Sequence, residues 1–209
     1  MRPSRTALLL GALGLLGAAF WWRRNPSACP YNQRFWVQAP HPGITRGRLM
    51  EALAVAPDER VLEIGPGTGY YTFEIASALP EGQLDIFDIQ QEMLQHVMRE
   101  ANRRGVTNVL PTHGDARQLP FADDTFDAAV LVTVLGEIPD QEQALSEVAR
   151  VLRPGGRLVV GEMFGDPHMV TSGKLRDRAR GAGLGFERRV GNPLAFFERF
   201  ETPPSESTV

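Results

Sequence analysis

Three glycines at alternating positions form the part of the sequence best suited to hold a ligand. The stretch VLEIGPGTGYYT occupies residues 61–72, and its glycines are Gly65, Gly67 and Gly69. Glycine permits the backbone angles of tight turns, and it has no Cβ to hold a ligand away from the backbone. In an open α/β sheet, ligands bind beyond the carboxyl ends of the strands, and the loop after the first strand is a usual place. The stretch therefore predicts a small-molecule site.

The acidic residue ahead of the glycines indicates the charge of that ligand. A dinucleotide-binding loop has the spacing G-x-G-x-x-G, whereas this loop reads G-x-G-x-G and carries Tyr70 where the third glycine would stand. The carboxylate of Glu63 would repel a diphosphate and attract an ammonium or sulfonium group. This sign favours S-adenosylmethionine, which has both cations and no phosphate. An NAD(P)-dependent oxidoreductase and a catalytically inactive nucleotide-binding module stay open as alternatives.

Two further carboxylates follow the next two predicted strands. Asp88 ends the second strand, where a carboxylate can accept hydrogen bonds from both hydroxyls of a ribose. Asp88 could also cap the helix predicted over residues 90–104, and Ile89 could pack on an adenine face. Asp115 follows the third strand, where it could bind an adenine amino group or simply form a turn after Gly114.

Four segments together resemble the class I S-adenosylmethionine-dependent methyltransferases. They are VLEIGPGTG, then Asp88, then GDARQLPFADDTFDAAV, then EVARVLRPGGRLVV. The resemblance covers residues 44–201 and is nearest to the small-molecule branch related to quinone biosynthesis. It implies an α/β fold, a Rossmann-like doubly wound seven-stranded mixed sheet with a C-terminal antiparallel hairpin and helices on both faces. It also implies S-adenosylmethionine as the cofactor.

The resemblance implies a role for each motif. The acid and the glycine loop would hold the methionine end of the cofactor, the next acid would hold the ribose, and the third motif would meet the adenine. Thr133, at the end of the fourth strand, would lie under the methionine portion, and LRPGG would be a structural turn. The implied cofactor-binding residues are Glu63, Gly65, Gly67, Gly69, Asp88, Ile89, Asp115, Ala116 and Thr133.

An alternation of apolar strands and helices must position these residues. Alternation of this kind predicts a parallel sheet covered on both faces. The predicted strands are 61–64, 83–88, 108–112, 126–134 and 157–163, followed by a hairpin of 186–190 and 196–201. The predicted helices are 45–54, 69–79, 90–104, 141–152 and 172–182.

Methyl transfer is an in-line displacement at a carbon bonded to a sulfonium, so the protein chiefly aligns the acceptor. A general base is needed only when the acceptor carries a proton. Glu137, after the fourth strand, and His168, after the fifth, are the catalytic candidates, although Glu137 also fits a solvated loop and His168 a surface or packing role. Met163, Phe164 and Met169 could line an apolar pocket, which favours a small, lipophilic acceptor.

The N-terminus differs from the rest of the chain. Residues 6–22 read TALLLGALGLLGAAFWW, 17 residues without a charge, flanked by arginines. A helix of that length is about 25 Å long, slightly short of a bilayer core of about 30 Å. A membrane anchor is the leading interpretation, and a cleaved secretory signal or a buried segment are the alternatives. The predicted divisions are 1–24 (hydrophobic segment), 25–43 (linker or lid), 44–201 (methyltransferase domain) and 202–209 (disordered tail).

Charge and composition exclude several other classes. The net charge of −3 gives no basic field for nucleic acid, and the single cysteine and four scattered histidines predict neither a disulfide framework nor a metal site. The expected partners are a small-molecule or lipid substrate and a membrane bound through the N-terminal segment. We expect the catalytic domain on the cytosolic side of that membrane.

Overall fold

The computed structural model describes residues 27–33 and 43–204. The predicted hydrophobic segment 1–24, much of the predicted linker and residues 205–209 of the predicted tail lie outside the described residues. Within the described stretches, no helix is long and apolar enough to cross a membrane.

One seven-stranded mixed sheet organises the chain, in the order β3-β2-β1-β4-β5-β7-β6. β1 to β5 run parallel, and β7 runs antiparallel to both β5 and β6. This confirms the predicted Rossmann-like fold with its terminal hairpin. The strands are β1 Arg60–Ile64, β2 Gln83–Asp88, β3 Val109–His113, β4 Phe126–Val132, β5 Leu152–Met163, β6 Gly185–Asn192 and β7 Ala195–Glu201. The helices are α1 Arg46–Leu53, α2 Thr72–Ser77, α3 Gln91–Arg104, α4 Gln141–Val151 and α5 Ser172–Gly181.

Apolar side chains on both faces of the sheet explain why these strands form. Along β1, Val61 packs into the core on one face, while Leu62 and Ile64 pack into the core on the other. Side chains alternate in this way because successive residues of a strand point to opposite faces. The helices cover these two faces, so the sheet is buried as a parallel sheet requires.

The strand order reverses between β1 and β4, which are paired neighbours in the middle of the sheet. From β1 the chain continues outward through β2 and β3, whereas β4 leads outward through β5 to the hairpin. In open α/β sheets, this reversal leaves a crevice at the carboxyl ends of the two strands, and ligands bind there. The glycine loop after β1 and Thr133 after β4 meet at this place.

The structure differs from the predicted elements at two glycine-rich segments. The helix after the glycine loop begins at Thr72 rather than at residue 69, because Gly69 has a φ of +86°, which a right-handed helix does not allow. The strand β5 begins at Leu152 rather than at residue 157, so LRPGG lies within a strand instead of forming a turn.

Backbone pairing explains the early start of β5. Leu152 pairs with Phe126 of β4. The amide of Gly155 donates to the carbonyl of Pro203 at 3.2 Å, and the amide of Thr202 donates to the carbonyl of Gly156 at 2.9 Å. Thr202 and Pro203, which the sequence assigns to the tail, therefore continue this hydrogen bonding just beyond the end of β7.

Candidate active site

The glycine loop has the backbone geometry that its sequence predicts. Gly65, Gly67 and Gly69 all have positive φ, at +70°, +54° and +86°. A Cβ placed on Gly65 would lie 2.4 Å from a methyl carbon of Val134, in the loop after β4. The loop can therefore pass this close to its neighbour only because no side chain is present.

A cavity of about 350 Å³, here called the central cavity, opens at the carboxyl ends of β1, β2 and β4. Its volume falls within the range of about 300–1,000 Å³ that is usual for small-molecule sites. The predicted site residues on its wall are Gly65, Gly67, Asp88, Ile89, Asp115, Ala116, Thr133 and Glu137. The fold therefore brings together residues that are up to 72 positions apart in the sequence.

Three of the predicted site residues do not line this cavity. Glu63 is buried in β1, and its Oε2 accepts a hydrogen bond of 2.6 Å from the hydroxyl of Thr72. Gly69 faces a second, polar hollow beside α3. His168 lies in the loop after β5. Direct contact of these three residues with a ligand stays a prediction.

The carboxyl group of Glu63 is buried, and burial disfavours its ionised form. Burial raises the pKa of Glu63 to about 7, although the hydrogen bond from Thr72 works in the opposite direction. A cation bound nearby would favour the ionised form of this carboxyl. When it is ionised, Glu63 therefore makes the electrostatic potential at the glycine loop more negative, although its side chain stays within the sheet.

Asp88 lies on the cavity wall at the end of β2. Its Oδ1 accepts a hydrogen bond of 2.8 Å from the amide of Gln90, and burial raises its pKa to about 6. The helix α3 starts at Gln91 and its N-cap residue is Gln90, so Asp88 forms the turn before the helix rather than the cap itself. This turn fixes the carboxylate on the wall of the cavity.

Asp115 is engaged more fully by its neighbours. Its Oδ1 accepts from the amide of Arg117 at 2.9 Å, and its Oδ2 accepts from the guanidinium of Arg117 at 2.6 Å. The hydrogen bonds from Arg117 hold the pKa of Asp115 below its usual value. The turn that the sequence allowed is present, and the contact of Asp115 and Ala116 with adenine stays a prediction.

Thr133 has a backbone conformation that is rare for its residue type. Its φ is +54°, and its amide donates to the carbonyl of Gly161 at 2.8 Å. A β-branched residue is strained in this region, and such strain concentrates at functional sites. No local pattern in the sequence predicts this strain.

Glu137 ends a 3₁₀ turn, Leu135–Glu137, and lines the central cavity. Its Oε2 accepts a hydrogen bond of 3.4 Å from the amide of Cys29. Burial, followed by the nearby charge of Asp166, raises the pKa of Glu137 to about 8. Glu137 is thus partly buried and not the solvated loop carboxylate that the sequence also allowed.

His168 belongs to a loop packed behind that 3₁₀ turn. Its amide donates to Oδ1 of Asp166 at 2.8 Å. A Cβ on Gly136 would lie 1.8 Å from the carbonyl oxygen of His168, so the two segments are in close backbone contact. Both of these contacts are made by the backbone of His168, and the role of its side chain stays a prediction.

The N-terminal strap, residues 27–33, covers part of the site in a way that the sequence alone does not predict. Ser27, Ala28 and Cys29 line the central cavity. The side chain of Gln90 holds the strap by donating to the carbonyl of Cys29 at 2.9 Å and accepting from the amide of Tyr31 at 3.1 Å. The sequence predicts a linker or lid over residues 25–43. No pattern in it predicts the two hydrogen bonds from the side chain of Gln90 to the strap, here called the clasp.

Sequence comparison finds a similarity to methyltransferase domains in the middle of the chain. Residues 61–156, just under half of the chain, match the model of a methyltransferase domain family. The chain is also 34% identical over 117 residues to demethylmenaquinone methyltransferases from several strains of Staphylococcus aureus. That alignment covers 56% of this chain and 48% of the relative, so the chain spans about half the length of the curated relatives it matches.

Solved structures confirm the fold. A SAM-dependent methyltransferase from Aquifex aeolicus superposes with a TM-score of 0.75 at 17% identity, covering 83% of this chain and 98% of that one. The [4+2]-cyclase SpnF superposes with a TM-score of 0.69 at 19% identity, covering 77% of this chain and 80% of that one. Because a protein named as a cyclase shares the fold, the fold alone does not determine the reaction, and the site must.

Proposed function

We propose that the protein is an S-adenosylmethionine-dependent methyltransferase that transfers a methyl group to a small, lipophilic acceptor. The observation that carries this proposal is the central cavity at the reversal of the strand order. The cavity combines the glycine loop, Asp88 and a strained Thr133. Apart from Ser27, Ala28 and Cys29, its lining residues fall within the region that matches a methyltransferase domain.

The charges around the site support a cationic cofactor. The carboxyls of Glu63, Asp88 and Glu137 make no ion pair with a described arginine or lysine. By contrast, Asp85 and Glu198 are also buried in the sheet, but Asp85 is paired with one arginine and Glu198 with two. An excess of negative charge at this edge attracts an ammonium or a sulfonium and repels a diphosphate.

The wall of the central cavity supports an apolar acceptor. Ile64, Met93, Val132, Val134 and Ile138 all contribute to it. Apolar walls with a few placed polar groups are typical of sites for apolar ligands. The relatives named demethylmenaquinone methyltransferases suggest an aromatic quinone precursor as one such acceptor.

The reaction then requires little covalent chemistry from the protein. A bond forms between the acceptor atom and the methyl carbon while the bond from that carbon to sulfur breaks, and its electron pair stays on sulfur. Alignment of the two reactants supplies up to ~7–11 kcal/mol of the barrier reduction. If the acceptor atom carries a proton, the carboxylate of Glu137 takes it, since this side chain lines the cavity.

Binding measurements on the full-length protein test the choice of cofactor. We expect isothermal titration to give saturable binding of S-adenosylmethionine and none of NAD or NADP. Incubation with methyl-labelled cofactor and a total membrane extract should yield a labelled small molecule. Binding of NAD alone would overturn the proposal, and cofactor binding without any labelled product would favour an inactive binding module.

We also propose that residues 6–22, which carry no charge, anchor the protein in a membrane with the catalytic domain on the cytosolic side. Carbonate extraction of membranes from cells that express the full-length chain tests the anchor. Release of the intact chain into the soluble fraction would contradict it. Protease protection of sealed vesicles tests the orientation.

A further inference from the structure

Two large apolar side chains are exposed together beside the candidate active site. Phe164 is 73% exposed and Leu194 is 61% exposed. The amide of Phe164 donates to the carbonyl of Leu194 at 2.6 Å, so the two residues form one feature, here called the edge patch. Exposed aromatic and aliphatic side chains that adjoin each other are typical of surfaces that meet another apolar phase.

The edge patch lies on the edge of the sheet where the central cavity opens. Phe164 directly follows β5, and Leu194 directly precedes β7 at the position where Met163 pairs with Ala195. Ile89, 54% exposed, follows β2 on the same edge and lines the cavity. The large apolar side chain exposed elsewhere on the hairpin, Phe186, instead packs on the guanidinium of Arg176 at 3.5 Å.

The chain enters the described structure at this same edge. Ser27 lines the central cavity. Only residues 23–26 separate it from Trp22, the last residue of the uncharged N-terminal run. Even a fully extended connection from Trp22 to Ser27 spans at most about 18 Å. An anchor in residues 6–22 would therefore hold the mouth of the cavity close to the bilayer.

We propose that the edge patch docks on the surface of the lipid bilayer, so that the central cavity opens towards the acyl chains. This inference rests on the membrane anchor proposed above. Docking places two apolar side chains in the membrane interface, where apolar groups leave water favourably. It also gives a lipophilic acceptor a route into the cavity that does not cross bulk water.

Fluorescence quenching in vesicles tests the docking. The full-length protein contains one cysteine, Cys29. In a Cys29→Ser background, Phe164→Cys and Leu194→Cys would each be labelled with an environment-sensitive fluorophore. The labelled proteins would be reconstituted in phosphatidylcholine–phosphatidylglycerol vesicles with or without spin-labelled lipid. Glu81→Cys is the matched control, since Glu81 is exposed at the opposite edge, in the turn before β2.

Docking predicts a loss of fluorescence with spin-labelled lipid at positions 164 and 194 and no loss at position 81. Equal fluorescence with and without spin-labelled lipid at positions 164 and 194, in protein that floats with the vesicles, would overturn the docking while leaving the anchor intact. Quenching equal at all three positions would also overturn it. A label that is already shielded without vesicles, in a dimer, would assign the edge patch to a second copy of the chain and so overturn the inference.

Two control measurements on the same samples separate failure of the inference from failure of the proposed function. Binding of S-adenosylmethionine should be unchanged by either label, because neither residue lines the central cavity. Absence of cofactor binding both in these samples and in the unlabelled protein that keeps Cys29 would count against the methyltransferase proposal. Absence of flotation would count against the anchor and therefore also against the docking.

Discussion

At the scale of single residues, Asp88 has two tasks that a single substitution can separate. Its Oδ1 orders the turn into α3 by accepting from the amide of Gln90, and its charge is available to a ligand in the central cavity. Asparagine keeps an oxygen for the turn but removes the charge. The effects of the turn and of the charge can therefore be measured separately.

We expect Asp88→Asn to weaken binding of S-adenosylmethionine roughly 10- to 100-fold at pH 7.5, because a hydrogen bond to a charged group contributes about 1.5–3 kcal/mol. Isothermal titration measures the change. Asp85→Asn on the same strand is the control: Asp85 pairs with Arg60 away from the cavity. It should lower thermal stability and leave cofactor affinity unchanged, and equal loss of affinity in both variants would contradict the role of Asp88.

At the scale of elements, the glycine loop can be tested with a pair of glycines that share a conformation. Gly65 and Gly155 have nearly equal φ values, +70° and +74°. A Cβ on Gly65 would clash with Val134 at 2.4 Å, whereas a Cβ on Gly155 meets nothing within 4 Å. Alanine at position 155 introduces only backbone strain, whereas alanine at position 65 also introduces a steric clash. Comparing the two variants therefore separates the two effects.

We expect Gly155→Ala to cost about 1–3 kcal/mol in the free energy of unfolding, as left-handed backbone does for a residue with a side chain. Gly65→Ala should cost more than Gly155→Ala and should also reduce binding of S-adenosylmethionine. Chemical denaturation and isothermal titration measure the two effects. Equal stability loss with intact cofactor binding would show that close packing of the loop is not needed.

The N-terminal strap is a second element whose role can be measured directly. Gln90 holds it with two side-chain hydrogen bonds, each of which stabilises by about 1 kcal/mol. We expect Gln90→Ala to open the strap and to raise the rate at which a maleimide labels Cys29. Gln91→Ala, at the adjacent exposed position, should leave this rate unchanged. An unaltered rate in Gln90→Ala would mean that the clasp does not hold the strap.

These elements also indicate how far the sequence can predict such a site. The strand ends were predicted within two residues for β1 to β4 because apolar runs bounded by turn residues are local signals. The start of α2 was predicted three residues too early, because three glycines in left-handed conformation delay the helix. The clasp between Gln90 and the strap joins residues about 60 positions apart. It depends on tertiary geometry that no spacing in the sequence records.

At the scale of the whole molecule, the carboxyl groups are divided into two populations. In the first, carboxyls such as Glu147, away from the central cavity, and Asp115, on its wall, are held by arginines that keep their pKa low. In the second, Asp88, Glu63 and Glu137 at the site pair with no arginine or lysine that the structure describes, and burial raises their pKa to about 6, about 7 and about 8. Without a bound cation, ionisation of Asp88, Glu63 and Glu137 is therefore unfavourable.

This division predicts how stability depends on pH. A carboxyl whose pKa is higher in the folded than in the unfolded state binds extra protons when folded, so stability falls as pH rises from its unfolded to its folded pKa. For Asp88, Glu63 and Glu137 that window runs from about 4 to about 8. We therefore expect the melting temperature of the cofactor-free protein to fall across this range.

The cofactor should reverse that fall, because its ammonium and sulfonium groups favour the ionised carboxyls. We expect S-adenosylmethionine to bind more tightly and to raise the melting temperature more at pH 8 than at pH 6, with protons released on binding. Isothermal titration in buffers of different ionisation enthalpy measures the proton release. Glu63→Gln removes one buried charge while keeping the size of the side chain. This variant should make the affinity for the cofactor depend less on pH. Because a diphosphate would instead bind more weakly as these groups ionise, tighter binding at lower pH would contradict the sign of charge on which the site depends.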